Sequence, residues 1–408
     1  MIRVVAEGLA ALRETQFRRL FFGRALSMLG SQIVPVALAF AVLDDLGGSA
    51  TELGIVLSTR WIAQIVLLLV GGVYADRLPR QVVMLSADAV RACTQTLIGV
   101  LLVTGHASLW QLALTQTVSG ACDAFFNPAS TGLVPHTVAP ERLQQANGLL
   151  SLTQSSAALV GPAIGGALVA TAGSGWAFVL DGASFIASAF FLAALRLPPR
   201  ARTVETPNFL SDLATGWREF RAKTWIVVID SWAVLANTIV IGPFYVLGPL
   251  VAKHELGGAA SWAAIVASFG AGAIVGDLAA IAIRPRRPLL VGCAVVGTFA
   301  LPPALLAIPA STAVIAASTF LAALGLTIFN TLFATTMQQE VPPEALSRVT
   351  AYDWLASVAF LALGYALAGP LAEAIGTREL LLAGAVFQVI GAGTMVSLPS
   401  IRAITRRS

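Results

Sequence analysis

The chain has 408 residues, of which 57% are hydrophobic and 11% are charged, and its formal net charge is +4. Apolar runs of about 20 residues, the length that crosses a hydrocarbon layer of ~30 Å, recur along the sequence, which excludes a soluble protein and predicts a polytopic, all-α membrane protein. The basic residues lie between the apolar runs and form no basic domain, so the positive charge indicates no nucleic-acid partner.

Charged residues, proline and glycine divide the apolar runs into twelve candidate membrane helices. The predicted ranges are 18–43, 52–73, 82–104, 109–131, 144–171, 175–195, 225–250, 258–282, 288–308, 311–336, 348–372 and 378–398. The first run is too long for a signal-peptide core and lacks a cleavage pattern, so it is predicted to be a retained span.

The distribution of lysine and arginine predicts the orientation of these helices. With the N-terminus inside, the cytoplasmic segments carry 20 of the 25 basic residues, whereas the outer loops carry only Lys253 and Arg378. By the positive-inside rule both termini are predicted to be cytoplasmic. The excess of arginine over lysine and the high alanine content indicate a GC-rich bacterial genome, so the expected location is a bacterial cytoplasmic (inner) membrane.

The longest polar connection divides the chain near its middle. Residues 1–195 and 225–408 are predicted to form two six-helix bundles, joined by a cytoplasmic linker at 196–224. In the linker, Phe209, Leu213, Trp217 and Phe220 recur at helical spacing, which predicts an amphipathic helix on the inner membrane surface.

The two halves also repeat in sequence. A shift of 203 residues aligns "FFNPASTGLVPHTVAPERLQQ" with "IFNTLFATTMQQEVPPEALSR" and places Gly161 on Gly364 and Gly173 on Gly376. A single shift that holds over a helix, a loop and the next helix indicates a duplicated, pseudo-symmetric architecture.

The stretch "GGVYADRLPRQVVM" resembles the signature between helices 2 and 3 of the major facilitator superfamily, with Asp76, Arg77 and Arg80 in register. The resemblance covers nearly the whole chain and implies twelve helices in two bundles with alternating access. It also implies a cytoplasmic gate, in which Asp76 meets the N-terminus of helix 11. The predicted gate residues are Asp76, Arg77, Arg80, Asp88, Arg91 and Asp353.

The stretch "GLLSLTQSSAALVGPAIGG" is similar to the helix 5 motif of drug and proton antiporters within that family. The matching positions are Gly148, Gly161, Pro162, Gly165 and Gly166. The motif implies export, and the alternative is that these small residues only allow close helix packing. Further segments, including "SADAVRA" and "FNPAS", resemble the branch of enterobactin-exporter-like and macrolide-efflux-like permeases.

Helix 4 carries a polar stripe along one face, formed by Gln116, Ser119, Asp123 and Asn127. Since an ionisable residue inside a membrane helix is costly, Asp123 is a candidate for the group that carries a coupling proton. The alternative is a structural ion pair with Arg91 or Arg24. Arg60 and Asp181 form a second candidate pair, at an outer gate.

The resemblance implies that helices 1, 4, 7 and 10 line a central cavity, and polar residues occur on all four. The cavity candidates are Gln116, Asn127, Asp230, Asn237, Tyr245, Thr327 and Thr331.

The sequence therefore predicts a secondary active exporter of a small amphiphilic compound, such as a drug, siderophore or secondary metabolite, exchanged for protons. The alternative is a facilitator, uptake permease or lysophospholipid transporter of the same fold. The three histidines lie in loops without partners at ligand spacing, and there is no nucleotide-binding loop, so neither an enzyme nor a metal site is expected. The predicted partners are a small-molecule substrate and the lipid bilayer. The chain is expected to act as a monomer and without a cofactor, driven by the proton gradient.

Overall fold

The computed structural model describes residues 11–75, 79–196, 217–218, 220–308 and 310–405. Within these ranges the chain is helical and contains no strand. The membrane helices are α1 Thr15–Asp45, α2 Ala50–Ala75, α3 Arg80–Val103, α4 Leu109–Leu133, α5 Leu143–Ala172, α6 Ser174–Ala193, α7 Thr224–Leu256, α8 Ala259–Ala282, α9 Pro288–Ala307, α10 Thr312–Glu340, α11 Pro343–Ile375 and α12 Thr377–Ser397. A short helix α13, Pro399–Arg402, follows them.

All twelve predicted helices are present, mostly within a few residues of the expected ends. Eleven of them are long and apolar enough to cross a membrane over their described residues. The exception is α4, whose polar stripe lowers its mean hydropathy. A polar helix is tolerated in a membrane when its polar face is turned towards other helices, as the buried Gln116 and Ser119 are here.

The chain forms two compact units. Unit 1 comprises the described residues of Met1–Arg200 and Ala252–Gly270, and unit 2 comprises those of Ala201–Val251 and Ala271–Ser408. In unit 1, α3 packs on α6, α2 packs on α4, and α1 packs on both α5 and α6. In unit 2, α10 packs along α9, and α11 packs along α7.

The internal repeat is visible at equivalent glycines. Gly173 alone connects α5 to α6, and Gly376 alone connects α11 to α12. The backbone angles are nearly the same, with φ 94° and ψ 163° at Gly173 and φ 99° and ψ 144° at Gly376. This region of φ and ψ is open essentially only to glycine, which explains the residue type at both sites. The starts of α4 and α10, at residues 109 and 312, and of α6 and α12, at 174 and 377, also differ by 203.

Most of the predicted amphipathic linker helix lies outside the described residues. At its end Trp217 stacks on Phe220, with ring centroids 5.6 Å apart, and both rings contact Tyr352 of unit 2. The described end of the linker is therefore anchored to the start of α11 by aromatic packing.

Candidate functional site

An ion cluster lies inside the helices of unit 1, centred on Asp123 of α4. Arg60 of α2 donates to Asp123 Oδ2 from Nη2 at 2.8 Å and from Nε at 3.1 Å. Arg91 Nη2 of α3 lies 3.2 Å from the other carboxylate oxygen, Oδ1. Asp123 thus bridges two arginines, and its side chain is only 13% exposed.

Close backbone packing brings Arg60 and Asp123 together. Gly120 of α4 lies against the backbone of Arg60, where a Cβ would overlap the Arg60 carbonyl oxygen. Since residues three apart share one helix face, Asp123 lies one turn further along, beside the Arg60 guanidinium. Small residues that let membrane helices approach in this way fix which side chains meet.

Arg91 connects Asp123 to a second carboxylate, that of Asp88. Arg91 Nη1 lies 3.9 Å from Asp88 Oδ1, and Ser188 of α6 donates to Asp88 Oδ2 at 2.6 Å. The guanidinium carbon lies 4.8 Å from the ring centroid of Phe126 and 5.1 Å from that of Phe185. Cation–π contact of this kind is strengthened in a desolvated setting and holds the Arg91 side chain between the two rings.

A third carboxylate, that of Asp181 on α6, completes the cluster. It is 1% exposed, its Oδ2 has no hydrogen-bond partner among the described residues, and it interacts electrostatically with Arg60 and Arg91. Gly182 brings α6 close to the α3 backbone near Thr96, which places Asp181 within electrostatic range of the arginines. Three acidic groups therefore face two arginines.

Several buried polar atoms on α3 and α4, the helices that carry Arg91 and Asp123, lack a hydrogen-bond partner within the described part of the chain. They are Arg91 Nε, Gln95 Oε1, Gln116 Nε2 and Ser119 Oγ. Because buried polar atoms are rarely left unpaired, this environment has donors and acceptors to spare for water or for polar groups of a ligand.

The predicted residues are distributed as follows. Gln116 is buried on the same face of α4 as Asp123, two turns away, whereas Asn127 is exposed. The expected Arg60–Asp181 pair is replaced by the Arg60–Asp123 pair, with Asp181 as a more distant partner.

Three further residues of this site, Phe126, Phe185 and Ser188, were not predicted from the sequence. The spacing of Asp181, Phe185 and Ser188, at i, i+4 and i+7, places them on one face of α6 and was the available signal.

The gate residues are only partly described. Asp76 and Arg77 lie outside the described residues, and Arg80 donates to the Gly132 carbonyl oxygen. The helix expected to face Asp76, α11, begins at Pro343, five residues earlier than predicted.

The glycines of the α5 motif differ in their surroundings. A Cβ on Gly161 or Gly165 would overlap α1 at Gln32 or Ile33, and one on Gly166 would overlap Ala263. Gly148 has open space around it. Pro162 is buried inside the helix. Three of the four motif glycines are therefore needed for close packing.

The cavity candidates of unit 2 lie on α7 and α10. Asn237 donates to the Ser357 carbonyl oxygen at 3.0 Å, so its amide joins α7 to α11. The Tyr245 ring contacts Phe244 and Tyr365 edge to face. Thr327 and Thr331 are half-buried, and Thr331 accepts a hydrogen bond from Thr335 through its carbonyl oxygen. Asp230 is almost fully buried.

Membrane-spanning helices that enclose a buried ion cluster are typical of multi-pass transporters. The family model described as Major Facilitator Superfamily matches residues 20–353, and the chain belongs to this family. The family consists of transporters, so the chain is a membrane transporter and not an enzyme.

Curated relatives include exporters. The chain is 30% identical to the enterobactin exporter EntS of Shigella boydii serotype 18 over 294 residues, covering 69% of this chain and 68% of the relative. It is 23% identical to the macrolide efflux protein A of Streptococcus pyogenes over 269 residues, covering 64% and 65%. It is also 30% identical to the MFS-type transporter YkuC of Bacillus subtilis over 211 residues, and this match spans about half of that relative, 47%.

Solved structures of the same fold include a bacterial homologue of the human lysosomal transporter Spinster, with a TM-score of 0.72, 18% identity and coverage of 94% of this chain and 96% of that one. A bacterial homologue of the iron transporter ferroportin has a TM-score of 0.71, 19% identity and coverage of 94% and 99%. At these identities the similarity shows the fold alone.

Proposed function

We propose that this transporter exports a small amphiphilic compound, such as a drug, siderophore or secondary metabolite, in exchange for protons. The observation that carries the proposal is the bridging of Asp123 by Arg60 and Arg91 inside membrane helices. Export is favoured because the relatives at 30% and 23% identity include an enterobactin exporter and a macrolide efflux protein.

Asp123 is the proposed carrier of the coupling proton. Its carboxylate accepts two hydrogen bonds from Arg60 and lies 3.2 Å from Arg91 Nη2. Exchange of a proton at Asp123 is therefore expected to accompany a rearrangement of these ion pairs. Alternating access supplies such a change when the helices rearrange, and the spare donors beside the cluster are available to a polar part of the substrate.

The remaining properties are those expected from the sequence. The protein lies in the bacterial cytoplasmic membrane with both termini in the cytoplasm, acts as a monomer, and is driven by the proton gradient without a cofactor. The glycines and proline of the α5 motif, together with Asp76, Arg77 and Arg80, support the change between inward and outward access.

The test uses inverted membrane vesicles with an imposed pH gradient and a fluorescent pH reporter, with enterobactin and a macrolide as the probes. Addition of a transported probe is expected to dissipate the gradient, and an uncoupler is expected to abolish probe accumulation. The Asp123→Asn variant should keep probe binding but lose proton-coupled accumulation. Full proton coupling in this variant would refute the role of Asp123, and probe movement that is insensitive to the uncoupler would indicate a facilitator.

The matched control is Glu14→Gln. Glu14 pairs with Arg142 at 3.3 Å on the surface of the same unit, where the two side chains are 27% and 41% exposed. This variant is expected to keep coupled transport.

A further inference from the structure

Unit 2 contains a pair of facing carboxyl groups, one on α7 and one on α11. Asp230 of α7 is only 4% exposed, and neither of its carboxylate oxygens has a hydrogen-bond partner among the described residues. The ionisable group that interacts with it electrostatically is Asp353 of α11, whose side chain is half-buried.

The alignment of the two helices accounts for this arrangement. Asn237 Nδ2 donates to the Ser357 carbonyl oxygen at 3.0 Å, and Thr238 Oγ1 donates to that of Phe360 at 3.0 Å. One turn further on, the backbones of Gly242 and Gly364 are so close that a Cβ on either would overlap the other helix.

These contacts show that α7 and α11 run parallel with a nearly constant offset. The residue numbers of the paired positions differ by 120 at Asn237, by 122 at Thr238 and by 122 at Gly242. Asp230 and Asp353 differ by 123 and so continue the same alignment two turns earlier. The backbone register therefore places the two carboxyl groups at one level.

No described cation lies within salt-bridge distance of either carboxyl group. Arg221, which precedes α7, lies over the Trp217 ring, 5.8 Å from its centroid. The charged and polar groups of the elements packed on α7 have other positions or partners. Gln388 of α12 donates to the Val296 carbonyl oxygen at 2.8 Å, Arg402 of α13 donates to that of Val396 at 2.7 Å, and Arg378 and Glu379 lie at the other end of α12. On α7 itself, Lys223 lies just before the helix begins. The Arg348 side chain of α11 lies outside the described residues.

The chemistry of such a pair is constrained. Two ionised carboxylates at one poorly solvated site repel each other, and a proton shared between them relieves that repulsion. A carboxyl group donates a hydrogen bond only when it is protonated, and a single proton therefore supplies the donor that Asp230 lacks. We propose that Asp230 and Asp353 form a proton-binding site, in which one proton joins one carboxyl oxygen and is donated to the other carboxylate.

This site is separate from the Asp123 cluster, because its residues lie in unit 2 and it contains no described arginine. Its existence does not depend on the exported substrate or on the role of Asp123. It can therefore be tested on the purified transporter without any transport measurement.

The experiment is infrared difference spectroscopy of the full-length protein in lipid nanodiscs, with a step from mildly acidic to alkaline pH. The wild type should show a carboxylic-acid C=O stretch at neutral pH that shifts in heavy water and disappears at alkaline pH. Asp230→Asn and Asp353→Asn should each lose this band. Glu373→Gln, which changes an exposed carboxyl group on the same α11, should keep it.

Proton release, measured with a pH-indicator dye in the same step, gives a second readout. Each single variant should release one proton fewer per molecule than the wild type and Glu373→Gln. If a variant fails to fold, the wild-type spectrum still decides, because absence of the pH-sensitive band from the wild type would overturn the proposal. Retention of the band in both variants would also overturn it. Loss of the band on addition of sodium at constant pH would show a sodium site in place of the proposed proton site.

Discussion

Gly120 lies against the backbone carbonyl oxygen of Arg60, so that a Cβ at residue 120 would overlap it. This one contact sets the distance between α2 and α4 and, through it, the pairing of Arg60 with Asp123. The ion cluster therefore depends on a residue that carries no charge.

Replacement of this glycine should damage both stability and transport. Gly120→Val is expected to lower the free energy of unfolding by about 1–3 kcal/mol, the usual cost of overpacking a filled interior. Because α2 and α4 must separate, the Arg60–Asp123 bonds should also weaken. A thermal unfolding series in detergent measures the first effect and the vesicle assay measures the second. Gly148→Val is the matched control, because Gly148 has open space around it. Equal midpoints for the two variants would contradict the role of close packing at Gly120.

Arg91 should be more important for stability than a surface arginine. Arg91→Leu leaves the fully buried Asp88 with Ser188 as its one remaining partner among the described residues, and loss of one member of a buried pair costs ~3–5 kcal/mol. Combining Arg91→Leu with Asp88→Asn removes the stranded charge and should recover part of the loss. Chemical or thermal unfolding of the two single variants and the double variant measures this coupling.

The Glu14–Arg142 pair, which is more exposed than the cluster, supplies the comparison for this series. Glu14→Gln is expected to cost about 1 kcal/mol, because a partly exposed pair contributes little and the glutamine oxygen can still accept the Ala139 backbone N–H. If Arg91→Leu costs no more than Glu14→Gln, the buried cluster does not stabilise unit 1.

The α5 motif can be separated into packing and other roles by two alanine variants. Gly161→Ala should destabilise the protein because its Cβ would meet Gln32 of α1, and the helices must shift to admit it. Gly148→Ala should be neutral or slightly stabilising, because alanine exceeds glycine by ~1 kcal/mol in helix propensity. Thermal midpoints test both expectations. A Gly148→Ala variant that folds normally but loses export would show a role beyond packing at that position.

The two lysines of the chain allow a direct test of the predicted orientation. Lys253 Nζ lies 2.8 Å from Asp44 Oδ1 and donates to the Leu43 carbonyl oxygen at 2.6 Å, and its side chain remains 32% exposed. A membrane-impermeant amine reagent applied to intact cells should label Lys253 from the outside. Lys223 should react only after the membrane is permeabilised.

Single-lysine variants, Lys223→Arg and Lys253→Arg, assign the label to one position by mass spectrometry. Labelling of Lys223 in intact cells would reverse the predicted topology. Asp44→Asn should speed the reaction at Lys253, because it removes the ion pair that occupies the amine.

The helices could be predicted from the sequence because a membrane helix needs an apolar run long enough to cross the hydrocarbon layer. The start of α12, predicted at 378 and found at Thr377, illustrates this. The repeat could also be predicted, because the backbone conformation at Gly173 and Gly376 requires glycine and so keeps the same residue type at both equivalent positions.

The choice of ionic partners was less predictable. Depth along the helices makes Arg60 and Asp181 a candidate pair, yet Arg60 bonds Asp123, because helix rotation is set by the contact at Gly120. In the same way, the alignment of Asp230 with Asp353 at one level depends on the Gly242–Gly364 contact and on two side-chain hydrogen bonds between α7 and α11. Hydropathy carries no information about such rotations, which are decided by a few atoms in tertiary packing.

The single-glycine connections have a practical consequence for fusing a marker domain to the protein for imaging. An insertion at Gly173 or Gly376 would force apart two helices that are joined by one residue in a conformation reserved for glycine. The segment between α3 and α4 is a better location, because a Cβ on Gly105 would meet no described atom within 4 Å and four further residues lie between the two helix ends. A rigid marker domain inserted there should leave the α5–α6 and α11–α12 connections intact.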